Sequence, residues 1–119
     1  MPSDPQPGEI WVIDFEPKRG AEQGKKRPGV VVNVDRAGKL PLRMIVPITH
    51  SQNRSDKHFW FVPIPANKTN GLTMDSEADA FQCKSFSLER FVFKVGSITD
   101  DQLLEIRKAV VLCLGLTAV

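Results

Sequence analysis

The chain has 119 residues, enough for one domain with one hydrophobic core. A hydrophobic fraction of 41% and a charged fraction of 25% are those of an ordinary globular protein, and exclude a largely disordered chain. No stretch approaches the roughly 20 apolar residues of a membrane span, the start lacks a signal-peptide pattern, and a net charge of +2 makes no case by itself for nucleic acid. The expectation is a cytoplasmic protein: residues 1–7, MPSDPQP, are a polar, proline-rich and flexible N-terminal segment, and residues 8–119 form a single domain.

In IWVIDF, Trp11, Ile13 and Phe15 alternate onto one face, which predicts a first strand. The loop EPKRGAEQGKKRP follows, with Gly20 and Gly24 inside it and a proline at either end. Between Lys18 and Arg27 it carries five cations (Lys18, Arg19, Lys25, Lys26, Arg27) against one anion, Glu22. It is long for a hairpin, and a basic loop on a nearly neutral domain is a footprint for an anion; the other reading is a solvated charged loop. After Pro28, GVVVNV reads as a strand buried on both faces. LRMIVPIT is a third strand, where Pro47 argues for an edge position or a bulge. The polar loop HSQNRSDK leads to a fourth strand, HFWFVPIP. From Leu72 to Phe86 the pattern is weak, with Glu77 and Asp79 at its centre, and FVFKVG makes a last short strand. A helix closes the chain: Thr99 and Gln102 form a capping box, Asp100 and Asp101 suit its positive end, Leu103, Ile106, Val110 and Leu114 recur at helical spacing, and Gly115 is the stop. Short strands followed by a terminal helix describe a mainly β (α+β) fold, a small, curved antiparallel sheet or barrel.

Cys83 and Cys113 make no metal spacing with either histidine and read as free buried thiols of a reducing compartment. No zinc pattern, phosphate-cradling glycine motif, nucleophile elbow or magnesium-type carboxylate group occurs, so no metal or cofactor is expected. Two constellations remain. On the first loop, Arg27 suits a phosphate clamp, Lys25 and Lys26 add charge, and Glu22 is a proton acceptor. That set fits RNA cleavage through the 2′-hydroxyl; the alternative is that Glu22 and Arg27 merely pair and hold the loop closed. At the end of the third strand stand Thr49, His50 and Ser51. A hydroxyl there can bond a phosphate oxygen, whereas His50 points to the other face as long as the strand continues.

The order of segments resembles the MazF/PemK/Kid toxin family from Gly8 to Leu116. GEIWVIDFEP is similar to its opening strand, GAEQGKKRPGVVVN to its signature loop and second strand, and MIVPIT to the strand ending in its threonine. NGLTMDSEADAFQCKSFSLERF is similar to the segment with its glutamine, and VGSITDDQLLEIRKAVVLCLGL to its closing helix. The resemblance implies an SH3-like, CcdB/PemK-type curved barrel with a C-terminal helix, acting as a homodimeric, metal-independent endoribonuclease on single-stranded RNA and silenced by a cognate antitoxin. It places the catalytic arginine and threonine on Arg27 and Thr49, the loop glutamate on Glu22 and the glutamine on Gln82. Lys25, Lys26, His50, Ser51, Asn53 and Arg54 then flank the RNA path. Two departures stand out. Phe81 occupies a position where many relatives carry an acid, with Asp79 expected on the same strand face, and His50 follows the threonine where a serine is usual. A non-catalytic module on the same fold, such as a CcdB-like gyrase inhibitor or a degenerate family member, is the alternative.

Overall fold

A computed structural model describes residues 4–15, 20–21, 25–35, 39–51 and 58–117. Seven strands and one helix follow in the order β1 (Glu9–Asp14), β2 (Lys26–Val31), β3 (Leu42–His50), β4 (Phe61–Ile64), β5 (Ser76–Asp79), β6 (Lys84–Ser87), β7 (Phe91–Ser97) and α1 (Asp100–Cys113). All pairings are antiparallel. The spatial order is β4-β5-β3-β2-β1-β7, with β6 also on β3, so β4 and β7 lie at opposite ends of a curved, open sheet. Among the described residues no helix is long and apolar enough to cross a membrane.

Alternation sorts the strands onto two faces. Ile10, Val30, Val46, Ile48, Val62, Ile64 and Ala78 point to one side, where Leu103, Ile106 and Ala109 of α1 cover them. Trp11, Ile13, Phe15, Val31, Ile45, Phe86 and Phe91 make a second cluster on the other side, closed by edge-to-face contacts of Trp11 with Phe91 and Phe15 with Phe86. Both faces are therefore buried at Gly29 to Val31 of β2 and at Ile45 to Ile48 of β3, as the β-branched run GVVVNV leads one to expect.

β3 is the hub of the sheet, and the expected edge position is corrected. It pairs β2 on one side and both β6 and β5 on the other. Pro47 is accommodated between the two partners on that second side, since β6 pairs Leu42 to Ile45 and β5 pairs Ile48 to His50. β2 also begins earlier than Pro28 suggested. Phe15 donates its N–H to the carbonyl of Lys25 at 2.9 Å, so the hydrogen-bonded pairs of the β1–β2 ladder fall on the odd positions. Pro28, opposite Val12, turns its nitrogen away from β1, toward a stretch where β3 has not yet begun to pair.

Residues 4–7 of the N-terminal segment make contacts with the domain. Pro5 is fully buried, and Arg43, only 4% exposed, donates to the carbonyls of Pro5 (3.0 Å), Leu40 (2.8 Å) and Leu42 (2.8 Å) and to the Asp4 carboxylate. A buried guanidinium needs several acceptors, and residues 4–7 supply two of them. The helix starts as expected: Gln102 donates its N–H to Thr99 Oγ1 at 3.1 Å, and Thr99 donates its own to Gln102 Oε1 at 3.0 Å. Arg107 then pins α1 to the end of β2 through the carbonyls of Val32 and Asn33, both at 2.9 Å.

Candidate active site

Arg27 lies in β2 rather than in the preceding loop. Its backbone is locked opposite Ile13, so its side chain springs from a rigid strand. The ladder between β2 and β3 ends at Gly29 opposite Pro47. Two residues further in the same register, Arg27 comes opposite Thr49. Where the ladder stops, a cavity of about 180 Å³ opens, lined by Arg27, Pro28, Ile48, Thr49, His50 and the stretch Leu72 to Met74 with Ser76. The arginine and the threonine singled out in the sequence, 22 positions apart in the chain, therefore share one concave site.

Strand β3 continues through His50, which pairs Ser76, so Thr49 and His50 alternate across the sheet although both border the cavity. Ser51 follows directly and donates its N–H to the carbonyl of Asp75 at 3.0 Å. Lys25, Lys26 and Arg27 are exposed, and Arg27 alone of the three borders the cavity. Lys25 is the sole non-glycine among the described residues with a left-handed backbone, at φ 65°, a conformation that costs an L-residue about 1 kcal/mol and is kept where local structure demands it. Glu22, Asn53 and Arg54 lie outside the described residues.

Gln82 stands apart from this cavity. It belongs to a 3₁₀ turn, Ala80–Gln82, and its side-chain amide donates to Asp79 Oδ2 at 3.0 Å. The turn also corrects the expectation that Asp79 and Phe81 share a strand face: the chain leaves the extended conformation after Asp79. The Asp79 carboxylate is buried, while Phe81 is 62% exposed and packs 5.1 Å from Trp60. Neither borders the Arg27–Thr49 cavity, so the missing acid at position 81 leaves the cavity's own residues in place. The buried Glu77, directly opposite Thr49, is the residue that sequence reasoning missed: it was noted as charged, but its depth comes only from strand pairing.

Both thiols are free, and burial pushes each above its ordinary value. For Cys83 the neighbouring Cys113 adds to this, and for Cys113 the charge of Asp79 does. Among the described residues no three of His, Cys, Asp and Glu converge as metal ligands. What the cavity offers is a cation and a hydroxyl, donors of the kind that an anionic phosphodiester needs.

Known proteins are similar to this chain in sequence and fold. The family model of the PemK-like, MazF-like toxin of type II toxin-antitoxin systems matches residues 6–114. Endoribonuclease MazF9 of Mycobacterium tuberculosis is 34% identical over 115 residues, 92% of this chain and 95% of that one. The crystal structure of MazF from Deinococcus radiodurans has a TM-score of 0.78 at 26% identity, covering 94% of this chain and 97% of that one. An endoribonuclease in complex with its cognate antitoxin, from a mycobacterial species, has the same fold, with a TM-score of 0.76 at 14% identity over 98% of this chain and 100% of that one. The family match over residues 6–114, together with a relative 34% identical over nearly the whole chain, means that this protein belongs to the PemK-like, MazF-like toxin family of type II toxin–antitoxin systems.

Proposed function

We propose that the chain is a toxin endoribonuclease that cleaves single-stranded RNA at the Arg27–Thr49 cavity, acts in the cytoplasm without a metal, and is neutralised by a cognate antitoxin. The observation that carries this reading is the convergence of Arg27 and Thr49 on one cavity at the point where β2 and β3 part. Cleavage proceeds by attack of the ribose 2′-hydroxyl oxygen on the adjacent phosphorus, which expels the 5′-oxygen and leaves a 2′,3′-cyclic phosphate and a 5′-hydroxyl. Arg27 lays two parallel donors on the phosphate as negative charge grows there, and Thr49 presents its hydroxyl to the same ribose-phosphate unit. A guanidinium holds its proton too tightly to be a good acid in water, so charge stabilisation is its principal task. Glu22 takes the proton of the 2′-hydroxyl, and a solvent water gives a proton to the departing 5′-oxygen. Lys25, Lys26, His50, Ser51, Asn53 and Arg54 track the strand on either side, and Gln82 contacts it further along the surface.

The working unit is a homodimer. The single helix covers one face of the sheet, and one chain leaves Phe59, Phe81, Leu112, Leu114 and Leu116 exposed. The antitoxin is a short acidic segment that lies along the basic mouth and excludes RNA.

Purified protein incubated with a long single-stranded RNA in excess chelator, beside Arg27→Ala and Thr49→Ala, tests the reading. Cleavage at a few discrete sites, reduced about 100-fold or more in either variant, is the expected result. Intact RNA with folded wild-type protein refutes it, and an antitoxin that binds without blocking RNA refutes the shared groove.

A further inference from the structure

We infer that the cavity includes a base pocket, which holds a nucleobase adjoining the cut bond against Met74 and reads its edge through His50 and Thr73; this rests on the Arg27–Thr49 cavity being the cleavage site. Val30, Ile48 and Ala78 belong to the cluster under α1. By alternation Pro28, His50 and Ser76 fall on that face of the sheet, and Arg27 and Thr49 on the other. The cavity opens where β2 no longer pairs β3, and residues of both faces border it. A phosphodiester at Arg27 and Thr49 therefore has a compartment of different chemistry beside it. Pro28, Ile48, Leu72 and Met74 give that compartment apolar walls, and His50 and Thr73 stand among them. The cavity volume of about 180 Å³ is the space of about six waters, room for one base and not for a stacked pair.

The wall from Leu72 to Met74 is built in advance. Asn70 is fully buried; its Oδ1 accepts the N–H of Asn67 at 3.1 Å and of Leu72 at 3.0 Å, and its Nδ2 donates to the Pro65 carbonyl at 2.8 Å. At the other end the Ser76 hydroxyl donates to the Met74 carbonyl at 2.8 Å, and the Ser51 N–H to the Asp75 carbonyl at 3.0 Å. The backbone is thus held on both sides, while Thr73 is exposed and Met74 is 52% exposed. Exposed side chains on a fixed backbone suit recognition, since little order has to be gained on binding. The flexible thioether of methionine packs well on flat aromatic rings, and stacking on its face is the main way a single-stranded base gains affinity. The edge is read separately. The Thr73 hydroxyl donates and accepts, and an imidazole offers at least one ring N–H in either protonation state, so the wrong edge leaves a group unmatched.

The experiment is cleavage of a random-sequence RNA pool by wild type, Met74→Ala, His50→Ala and Arg27→Ala, with cut ends sequenced and folding checked by thermal melting. Wild type is expected to favour one base at a position adjoining the cut by at least about 10-fold in kcat/KM. In Met74→Ala and in His50→Ala that preference falls below about 3-fold, while preferences at other positions persist. Arg27→Ala slows every sequence alike, as loss of a phosphate contact does. A single oligonucleotide with an abasic nucleotide at the read position completes the test. Its abasic form is expected to lose at least about 10-fold in kcat/KM with wild type and less than about 3-fold with Met74→Ala, since the variant no longer holds the base. A wild type indifferent to the bases adjoining the cut overturns the pocket and leaves the cleavage site standing. So do folded Met74→Ala and His50→Ala proteins whose preferences are unchanged, or weakened equally at all positions. A folded wild-type protein that cuts nothing overturns the site itself, and the pocket with it.

Discussion

Arg27 draws its precision from where it sits. A guanidinium on a strand locked to β1 is pre-positioned, whereas the same group on the open loop would lose more side-chain and backbone freedom on binding RNA. Lys25 shows the opposite condition, a charged residue held in a left-handed turn at φ 65°. Lys25→Gly relieves that strain, so its unfolding free energy should stay within about 1 kcal/mol of wild type or rise, while RNA affinity falls through the lost cation; urea titration and a salt series of binding measurements separate the two effects. Glu9 makes a prediction about acid stability. Burial raises its pKa, but the Gln6 backbone N–H, the Trp11 indole at 3.0 Å and the Lys94 ammonium at 3.1 Å outweigh burial and hold it below 4.5. A depressed carboxylate contributes stability above its unfolded value that is lost as pH falls through the folded one. Glu9→Gln should therefore lower stability at neutral pH and flatten its decline below about pH 4.5, and equal slopes in both proteins would contradict this assignment. At this scale Arg27 and Thr49 stood out in the sequence by residue type and motif position, and the structure brings both to one cavity. The burial of Glu77 and Arg43 was not legible, because it comes from strand pairings and an N-terminal segment distant in the chain.

The helix was the element most fully legible. Its capping box is a contact between residues three apart, and both hydrogen bonds form as the sequence implies. Thr99→Ala should cost about 1 kcal/mol in denaturant unfolding without changing the cleavage rate of the folded protein. The strands were legible as elements and less so in their placement. Pro47 suggested an edge, yet β3 pairs three strands, because proline is excluded only where its missing N–H would be needed, and that depends on which partner stops where. The weakly patterned stretch from Leu72 resolves into β5, a 3₁₀ turn and β6, a break that alternation cannot reveal. β7 carries a further constraint: a Cβ on Gly96 would lie 2.4 Å from the carbonyl oxygen of Thr69 and 2.5 Å from the backbone of Asn70, whose turn is tied to β7 by Ser97 N–H to Thr69 at 3.1 Å. Backbone cannot yield as a flexible side chain does, so Gly96→Ala should destabilise by at least about 2 kcal/mol, measured by urea unfolding.

At the scale of the molecule, a nine-residue strand at the centre of the sheet carries the site at its end. β2, β3 and β5 converge there, and no residue of the helix lines the cavity; the helix covers the cluster that contains Ile48 and Val46. The fold class followed from short alternating strands and one capped helix. The curvature that opens a cavity between Arg27 and Thr49 followed from register, which a sequence does not spell out. The central claim is cleavage by the RNA's own 2′-hydroxyl at this cavity, and the most direct measurement uses one oligonucleotide in excess chelator. It is cut once at a mapped position and compared with the same oligonucleotide carrying a single 2′-deoxynucleotide on the 5′ side of that bond. The account predicts a 2′,3′-cyclic phosphate product from the first and no cut at that bond in the second, with binding retained. Cleavage of the deoxy-substituted bond at an undiminished rate would contradict it.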